Sequence, residues 1–538
     1  MSAGGAADGG AAAGRIRETA RRVFGHSSLL PGQGEAMRAL LGGHDVLLVS
    51  PTGSGKSLTY QVAGVLLEGC TVVVSPLLAL QHDQILGLED GGARTRAVRI
   101  SSEESPAEHE DALERVRAGE VEFLFLSPEQ LANDDVRSAV AALRPSLVAV
   151  DEAHCVSAWG HDFRPDYFRL GELIEELGSP RVVAMTATAA PPVREDIVER
   201  LHLREHRLVV TGFERENIAL SVQRSATVEQ QRRAALEAVA ATEGSGIVYC
   251  RTRKATEEYA AAIEEQGRSV AIYHAGLPRK ARAQAHERFM DGEVEVMVAT
   301  SAFGMGIDKP DIRFVVHAQV PESPDTYYQE VGRAGRDGEP AAATLMYRPE
   351  DLSLGRFFTG GVPKRDDVAA VVAAVRRLGD DDRLRIQERT GLGPRKVGRI
   401  LNLLDLEEHV PSAARPSDLV DAVLERAEGH RKLQHSRVEM MRGYAETTRC
   451  RSDFLLAYFG EEQAEPCGDC DNCVAGTATS GDWRHPDLPL QGRVRHDEFG
   501  EGTVTDVEED RVTVLFEDVG YRTLSLALVR EHELLETL

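Results

Sequence analysis

The sequence has few of the features that mark membrane, secreted or fibrous proteins. No stretch of its 538 residues reaches the ~18 consecutive apolar residues that a membrane-spanning helix needs. Seven cysteines are too few for a secreted disulfide scaffold of this length. Because 42% of the residues are apolar and 28% are charged, the chain can bury hydrophobic cores. These features predict a cytoplasmic protein of about three to four domains.

The sequence also lacks net basic charge. Lys and Arg total 62 against 87 Asp and Glu, which gives a formal net charge of −25 at pH 7. Nucleic-acid-binding domains usually carry a basic surface, so the total charge by itself argues against nucleic acid. Net charge is a sum over the whole chain, however, and a local basic channel can lie on an acidic protein.

A glycine-rich loop lies between a predicted strand (46–50, VLLVS) and a helical stretch that begins at Leu58. The loop sequence PTGSGKS in this context predicts a phosphate-binding P-loop, although Ser50 stands where the full pattern has its first glycine. Lys56 would contact the β- and γ-phosphates, and the Ser57 hydroxyl would ligate Mg²⁺. The candidate nucleotide-binding residues are Thr52, Gly53, Ser54, Gly55, Lys56 and Ser57.

An acidic pair follows another apolar strand, SLVAV at 146–150. The carboxyl ends of parallel strands are where the ligands of α/β domains bind, so Asp151 and Glu152 are placed at the nucleotide site. Asp151 is predicted to hold Mg²⁺, and Glu152 to orient or deprotonate the attacking water.

The loop that follows this pair, CVSAWGHDFRPDYFRL at 155–170, is rich in aromatic residues, although these make up only 5% of the chain. Aromatic rings and guanidinium groups on a loop can stack on unpaired bases. The alternative is a loop held in place by its own aromatic cluster. The candidate nucleic-acid-contacting residues are Trp159, His161, Phe163 and Arg164.

Strands and helices alternate again from residue 246, which predicts a second parallel α/β domain. Near its end, Gln329, Arg333 and Arg336 are three to four residues apart and share one helical face or its end. Across a cleft from a P-loop, such arginines can act as arginine fingers that neutralise γ-phosphate charge in the transition state.

Four cysteines have the spacing C-x16-C-x2-C-x2-C: Cys450, Cys467, Cys470 and Cys473. Thiolates two residues apart can converge on one tetrahedral ion, which favours zinc. The run CGDCDNC is also compatible with an iron–sulfur site, a pattern that needs a fourth cysteine shortly after the third.

In this order, the motifs resemble those of the RecQ family of superfamily 2 DNA helicases. The resemblance rests on PTGSGKS, SPLLALQHDQ, DEAHCVSAWGHDFRP, AMTATA, IVYCRTR, VATSAFGMGIDKP and YYQEVGRAGRDG. It implies two tandem RecA-like domains and a small zinc-binding helical domain, with ATP, Mg²⁺ and Zn²⁺ as cofactors. It also implies that Gln33, in a segment before the P-loop, reads the edge of the adenine.

By this resemblance, the protein is an ATP-dependent DNA helicase of DNA repair and recombination. It would move 3′ to 5′ on duplex DNA with a single-stranded 3′ tail, and the aromatic loop would couple DNA binding to ATP hydrolysis. The alternatives are a DNA-stimulated translocase that displaces proteins without processive unwinding, a motor that acts on RNA, and a non-catalytic binding module. A bacterial RecQ-type protein would be associated with the nucleoid.

The chain departs from the family pattern in two segments. A helical insertion contains RLRIQERTGLGPRKVGRILNLLDLEEHV (383–410), which resembles a helix-turn-helix with Arg395, Lys396 and Arg399 on its second helix. A three-helix packing spacer is the alternative. Short β runs after residue 490 resemble the Tudor or SH3-like barrel of UvrD-type helicases, where the family usually has a winged helix. That barrel implies a protein partner such as RNA polymerase.

The sequence therefore predicts an α/β fold with two tandem RecA-like parallel-sheet domains and three smaller parts. The predicted segments are a disordered tail (1–14), RecA-like domain 1 with the ATP site (15–212), RecA-like domain 2 (213–355), the helical insertion (356–426), the zinc-binding domain (427–476), a linker (477–490) and the all-β barrel (491–538).

Overall fold

The computed structural model describes residues 4–76, 78–90, 96–101, 103–157, 167, 169–304, 307–353, 361–378, 382–405, 415–461, 463, 465–478, 487–517 and 519–538. The chain divides into two compact units. Unit 1 comprises residues 1–319, 325–346 and 449–478, and unit 2 comprises residues 320–324, 347–448 and 479–538. Among the described residues, no helix is both long and apolar enough to cross a membrane.

The first part of unit 1 is a sheet of seven strands. They are β1 (Val46–Val49), β2 (Thr71–Val74), β3 (Ala97–Ile100), β4 (Phe123–Leu126), β5 (Leu147–Val150), β6 (Arg181–Thr186) and β7 (Arg207–Val210). Their order in the sheet is β3-β4-β2-β5-β6-β1-β7, and the neighbouring strands are parallel. The strands β1, β2, β4 and β5 are buried along their whole length, which explains their unbroken apolar sequences.

Nine helices are described around this sheet. They are α1 (Gly4–Phe24), α2 (Gln33–Leu41), α3 (Ser57–Leu67), α4 (Leu78–Asp90), α5 (Pro106–Arg117), α6 (Pro128–Leu131), α7 (Asp134–Ala142), α8 (Leu170–Glu176) and α9 (Pro191–Arg200). The main core of this domain includes Leu48, Tyr60, Val73, Phe125 and Met185.

Helix α1 corrects the prediction of a disordered tail at residues 1–14, because the helix begins at Gly4. Its second half is held by Ile16 and Ala20, which are buried against Met37 and Leu58. Helix formation is costly to nucleate and cheap to extend. Among residues 4–15, five alanines favour the helix and five glycines oppose it, so the helix there depends on extension from the buried half.

The second part of unit 1 is a sheet of six strands, β8 (Ile218–Arg224), β9 (Ser245–Tyr249), β10 (Val270–Tyr273), β11 (Val296–Ala299), β12 (Ile312–His317) and β13 (Ala341–Tyr347). Their order is β10-β11-β9-β12-β13-β8, and β9 to β13 pair in parallel. The accompanying helices are α10 (Val228–Ala241), α11 (Arg253–Glu265), α12 (Arg279–Met290) and α13 (Pro324–Val331). The two tandem parallel-sheet domains predicted from the sequence are thus confirmed.

Unit 2 contains the predicted helical insertion as α14 (Arg365–Leu378), α15 (Arg383–Thr390), α16 (Pro394–Asp405) and α17 (Pro416–Glu446). These four helices share one core, which includes Val371, Ile386, Val397, Ile400 and Val423. Helix α17 is continuous over 31 residues and passes through the boundary predicted between 426 and 427. That boundary is wrong because buried apolar positions recur along the helix on both sides of it.

The C-terminal part of unit 2 is an antiparallel sheet of five strands. They are β14 (Arg493–His496), β15 (Gly500–Val507), β16 (Arg511–Phe516), β17 (Gly520–Ser525) and β18 (Glu536–Thr537). Their order is β17-β16-β15-β14-β18. The small all-β module predicted at 491–538 is therefore present, and its likeness to a Tudor or SH3-like barrel stays a prediction.

The zinc-binding segment belongs to unit 1, with helices α18 (Arg451–Tyr458) and α19 (Asp471–Val474). Phe459, directly after α18, stacks on Phe213 with ring centroids 4.5 Å apart. The Arg194 guanidinium of α9 donates to the Phe459 carbonyl at 2.7 Å. The segment therefore packs where the chain passes from the first parallel sheet to the second.

A buried carboxylate joins three segments at the edge of the first sheet. Asp45, which is 2% exposed, accepts the backbone N–H of Val182 at 2.8 Å and that of Arg204 at 2.7 Å. These bonds connect the residue before β1 to the starts of β6 and β7. They satisfy N–H groups that would otherwise lack a partner inside the protein.

We predict that Asp45→Ala lowers the free energy of unfolding of this domain by about 2–4 kcal/mol, because two N–H groups lose their acceptor. Denaturant unfolding, followed by circular dichroism, measures the change. Asp45→Asn keeps one acceptor oxygen and should lose less. An unchanged unfolding midpoint in Asp45→Ala would contradict this role.

Candidate nucleotide site and metal centre

The glycine-rich loop connects β1 to α3, as predicted. Gly53 and Gly55 adopt φ angles of +83° and +64°, which residues with a side chain rarely adopt. The Lys56 ammonium donates to the carbonyl oxygens of Ser50 at 2.9 Å and Pro51 at 3.1 Å. The backbone of the loop thus surrounds the Lys56 ammonium and accepts its hydrogen bonds.

The acidic pair Asp151 and Glu152, which directly follows strand β5, lies beside this loop. The Gln84 amide on α4 lies 3.4 Å from Asp151 Oδ2 and 3.4 Å from Ser57 Oγ, so it bridges the two predicted Mg²⁺ ligands. Burial lowers the pKa of the Lys56 ammonium and raises the pKa of the Asp151 carboxyl, while their mutual attraction opposes both shifts. A carboxylate and a hydroxyl that approach one point are the oxygen ligands that Mg²⁺ prefers, so these residues fit the ion.

Gln33, the predicted reader of adenine, contacts the loop itself. Its Nε2 donates to the carbonyl oxygens of Ser54 at 3.1 Å and Gly55 at 2.9 Å. Its Oε1 accepts the Leu30 N–H at 2.9 Å. Gln33 therefore supports the backbone of the phosphate loop, and its recognition of adenine stays a prediction.

A chain of polar contacts leads from the first domain to the second. His154 Nδ1 lies 3.4 Å from Glu152 Oε2 and 2.9 Å from Thr186 Oγ1. The Thr186 hydroxyl donates to the Thr188 carbonyl at 3.0 Å, and Gln329 Nε2 donates to Thr188 Oγ1 at 3.1 Å. The predicted hydrolytic carboxylate and Gln329 are thus connected through buried side chains.

Arg336 of the second domain meets the phosphate loop, and Arg333 lies buried three residues before it. The Arg336 side chain lies against Gly53, where an added Cβ would be 3.3 Å from Arg336 Cγ. Arg336 Nη1 donates to Asp308 at 2.7 Å, and Arg333 is 4% exposed. Among the described residues, the Nε atoms of both arginines are buried without a hydrogen-bond partner. Buried donors of this kind are rare, and a phosphate oxygen is a suitable acceptor for them.

Sequence reasoning missed Arg215, which lies just beyond the junction of the two sheets. Its guanidinium donates to the carbonyl oxygens of Gly332 at 3.2 Å, Ala334 at 2.9 Å and Gly335 at 3.2 Å. It therefore holds the turn that carries the two arginines. Neither Arg215 nor Gln84 has a local signal, because each acts on residues more than 20 positions away.

The predicted DNA-contacting residues Trp159, His161, Phe163 and Arg164 lie outside the described residues. Tyr167, at the far end of the same loop, is buried and donates its hydroxyl to the Asp151 carbonyl at 3.3 Å. The end of this loop is therefore in direct contact with Asp151, the first residue of the acidic pair.

The four predicted zinc ligands converge. The sulfur atoms of Cys450, Cys467, Cys470 and Cys473 all lie within 4.8 Å of one another. Tetrahedral zinc with bonds of ~2.3 Å requires sulfurs ~3.8 Å apart, so small movements would close this cluster on an ion. Cys450 Sγ accepts the Cys467 N–H at 3.3 Å, the kind of outer contact that orients thiolate ligands. The cluster fits a structural zinc ion, and Cys450 supplies the fourth thiolate that is absent after Cys473.

We predict about one zinc ion per chain in the purified protein and almost none in Cys470→Ser, because three thiolates cannot close a structural site. Elemental analysis after dialysis measures the metal content. Cys70→Ala, at a buried thiol outside the cluster, is the control and should retain its zinc. Full zinc content in Cys470→Ser would exclude this ligand set.

Three family models match the chain. They are the DEAD/DEAH box helicase (residues 30–197), the helicase conserved C-terminal domain (230–338) and the RecQ zinc-binding domain (413–474). The third match covers all four cysteines and therefore favours zinc over an iron–sulfur cluster. This match begins in unit 2, includes the whole of α17, and ends in unit 1.

Similar proteins extend over most of the chain. The ATP-dependent DNA helicase RecQ of Bacillus subtilis (strain 168) is 32% identical over 523 residues, which are 96% of this chain and 77% of that protein. The probable ATP-dependent DNA helicase RecS of the same organism is 33% identical, covering 85% of this chain and 92% of that protein.

Among solved structures, the helicase MrfA bound to DNA has a TM-score of 0.53 at 20% identity, covering 63% of this chain and 49% of that chain. This similarity shows a shared fold only. The identity to RecQ proteins, the zinc-binding match and the contact of Arg336 with the phosphate loop agree with one another. The chain belongs to the RecQ family of superfamily 2 helicases.

Proposed function

We propose that this protein is an ATP-dependent DNA helicase of repair and recombination that moves 3′ to 5′ along DNA. The observation that carries this proposal is the position of Arg336, whose side chain on the second parallel-sheet domain lies against Gly53 in the phosphate loop of the first. Such a site is complete only when the two domains are together. ATP binding and hydrolysis can therefore drive relative motion of the domains, which is what a motor requires.

The residues of the nucleotide site have separate roles. Lys56 contacts the β- and γ-phosphates, and Ser57 and Asp151 would hold Mg²⁺, which would neutralise charge on the phosphate oxygens. Glu152 orients or deprotonates the attacking water. Arg333 and Arg336 stabilise the charge that develops in the transition state.

The polar contacts from Glu152 through His154 to Gln329 give the motor a means of coupling its domains. A change at the γ-phosphate would alter the contacts of Glu152, and Gln329 would respond because it shares the Thr188 hydroxyl. We assign single-stranded DNA to the loop with Trp159, His161, Phe163 and Arg164, by analogy with aromatic and arginine platforms for bases. Tyr167 links this loop to the nucleotide site through its hydrogen bond to the Asp151 carbonyl.

The C-terminal module serves a different purpose in this proposal. Residues 491–538 contain more carboxylates than cations, which favours a protein partner, such as RNA polymerase, over DNA. Such a partner would direct the motor to its sites of action on the nucleoid. The resemblance of the module to the barrel of UvrD-type helicases supports this assignment.

Substitution of Arg215 tests whether the turn that carries Arg333 and Arg336 must be held in position. We expect Arg215→Gln to lower the kcat of DNA-stimulated ATP hydrolysis about tenfold or more, because the turn carrying the arginines loses its three carbonyl contacts. The KM for ATP should change less than about threefold, since Lys56 and Ser57 are untouched. Steady-state kinetics separates the two constants, and Arg215→Lys should restore part of the rate. A raised KM with an unchanged kcat would contradict this role.

Strand separation tests the proposed activity directly. We expect ATP-dependent unwinding of a duplex with a 3′ single-stranded tail and none of the same duplex with a 5′ tail. Glu152→Gln should bind ATP and DNA yet turn over ATP at least about 100-fold more slowly, since a general base contributes about 10²–10⁴-fold. Unwinding from the 5′ tail would refute the polarity. DNA-stimulated ATP hydrolysis without unwinding would instead identify a translocase.

A further inference from the structure

Helices α15 and α16 of unit 2 form a helix-turn-helix. Gly391 ends α15 with φ of +68°, and its N–H donates to the Gln387 carbonyl at 2.8 Å. Ile386 on α15 and Val397 and Ile400 on α16 face the core that these helices share with α14 and α17. The opposite faces of α15 and α16 are therefore left for solvent or a partner.

These free faces are strongly basic in a strongly acidic chain. Between residues 383 and 399 there are six cations and one carboxylate, whereas the whole chain has a net charge of −25. The cations on α15 are exposed, as are the first two on α16, and the last is half-buried. In chain order they are Arg383, Arg385, Arg389, Arg395, Lys396 and Arg399.

Some of these cations are used within the protein and others are not. Lys396 forms an ion pair with Asp367 at 2.8 Å, and Arg383 donates to Asn402 at 3.4 Å. In the part of the chain that the structure describes, Arg389 and Arg395 have no ion-pair partner. They lie at the two ends of the tight turn, one at the end of α15 and one at the start of α16.

We propose that the helix-turn-helix formed by α15 and α16 is a second nucleic-acid-binding surface, which takes the phosphate backbone and major groove of duplex DNA. An α-helix of ~10–12 Å diameter fits the ~12 Å major groove, and the second helix of such a motif presents its first residues to the bases. Arg395 and Lys396 occupy those positions on α16. Arg389 at the end of α15 is placed to contact a phosphate.

This inference rests on the proposed helicase function, because a helicase must bind the duplex that it unwinds. The helix-turn-helix would contact double-stranded DNA, while the aromatic loop would contact the single strand and the nucleotide site would hydrolyse ATP. The same charges could attract an acidic protein, and the experiment below separates these two occupants.

The test uses the full chain and a blunt duplex without single-stranded tails. We expect Arg389→Gln/Arg395→Gln to weaken duplex binding about tenfold or more at low salt. The slope of log K against log[salt] should fall by about 2, because each phosphate contact contributes about 0.9. ATP hydrolysis stimulated by single-stranded DNA should stay within about twofold of the wild type.

A matched control removes the same number of positive charges from another surface. Arg233→Gln/Lys254→Gln changes exposed residues on α10 and α11 of unit 1, and duplex affinity should stay within about twofold. Equal loss in both double variants would show that only total charge matters and would overturn the proposal. An unchanged duplex affinity and salt slope in the Arg389→Gln/Arg395→Gln variant would also overturn it and favour an acidic protein.

The outcomes for the two proposals are distinguishable. If the wild type binds the blunt duplex but shows no DNA-stimulated ATP hydrolysis, the proposed motor fails while the surface stands. If the motor is active and the helix-turn-helix variant behaves as the wild type in duplex binding, the surface fails alone.

Discussion

The nucleotide site depends on burying the Arg336 side chain of one domain against the phosphate loop of another. The Arg336 side chain lies over Gly53, where an added Cβ would make a tight contact of 3.3 Å and where φ of +83° favours glycine. Burying a guanidinium is costly unless it is paired, and Asp308 supplies only part of the pairing for Arg336. The arrangement is therefore suited to an anionic ligand, whose phosphate oxygens can accept hydrogen bonds from the buried Nε atoms that have no partner within the described protein.

The cysteine cluster is connected to the nucleotide site by the packing of helix α18. Cys450 directly precedes α18, whose far end brings Phe459 against Phe213 at the junction between the two sheets. Tyr328 completes this aromatic cluster and donates its hydroxyl to the Phe213 carbonyl at 2.6 Å. Arg215 lies two residues after Phe213 in the chain, and it holds the turn that carries Arg333 and Arg336. A zinc ion that orders α18 would thus help to fix the position of the arginines, without any contact with the nucleotide.

Local sequence patterns predicted much of this architecture, and their failures have physical causes. The P-loop, the acidic strand and the cysteine spacing are short signals whose chemistry depends on neighbouring residues, and each lies in its predicted context. The tail at residues 1–14 was predicted to be disordered because it lacks an apolar segment, yet the burial of Ile16 anchors helix α1, which extends into the tail. The boundary predicted at 426/427 separated the helical insertion from the zinc-binding domain, and the continuous helix α17 crosses it.

The sequence by itself determined the chemistry of the site: a phosphate loop, a carboxylate pair, two arginines and four thiolates at fixed spacings. Only the tertiary structure decided which residues hold these groups in place. Gln33, Gln84 and Arg215 act through hydrogen bonds to residues at least 20 positions away, and the fold alone brings such partners together. Spacing encodes contacts within one loop or helix, whereas contacts between elements arise only when the apolar faces of the sheets and helices pack.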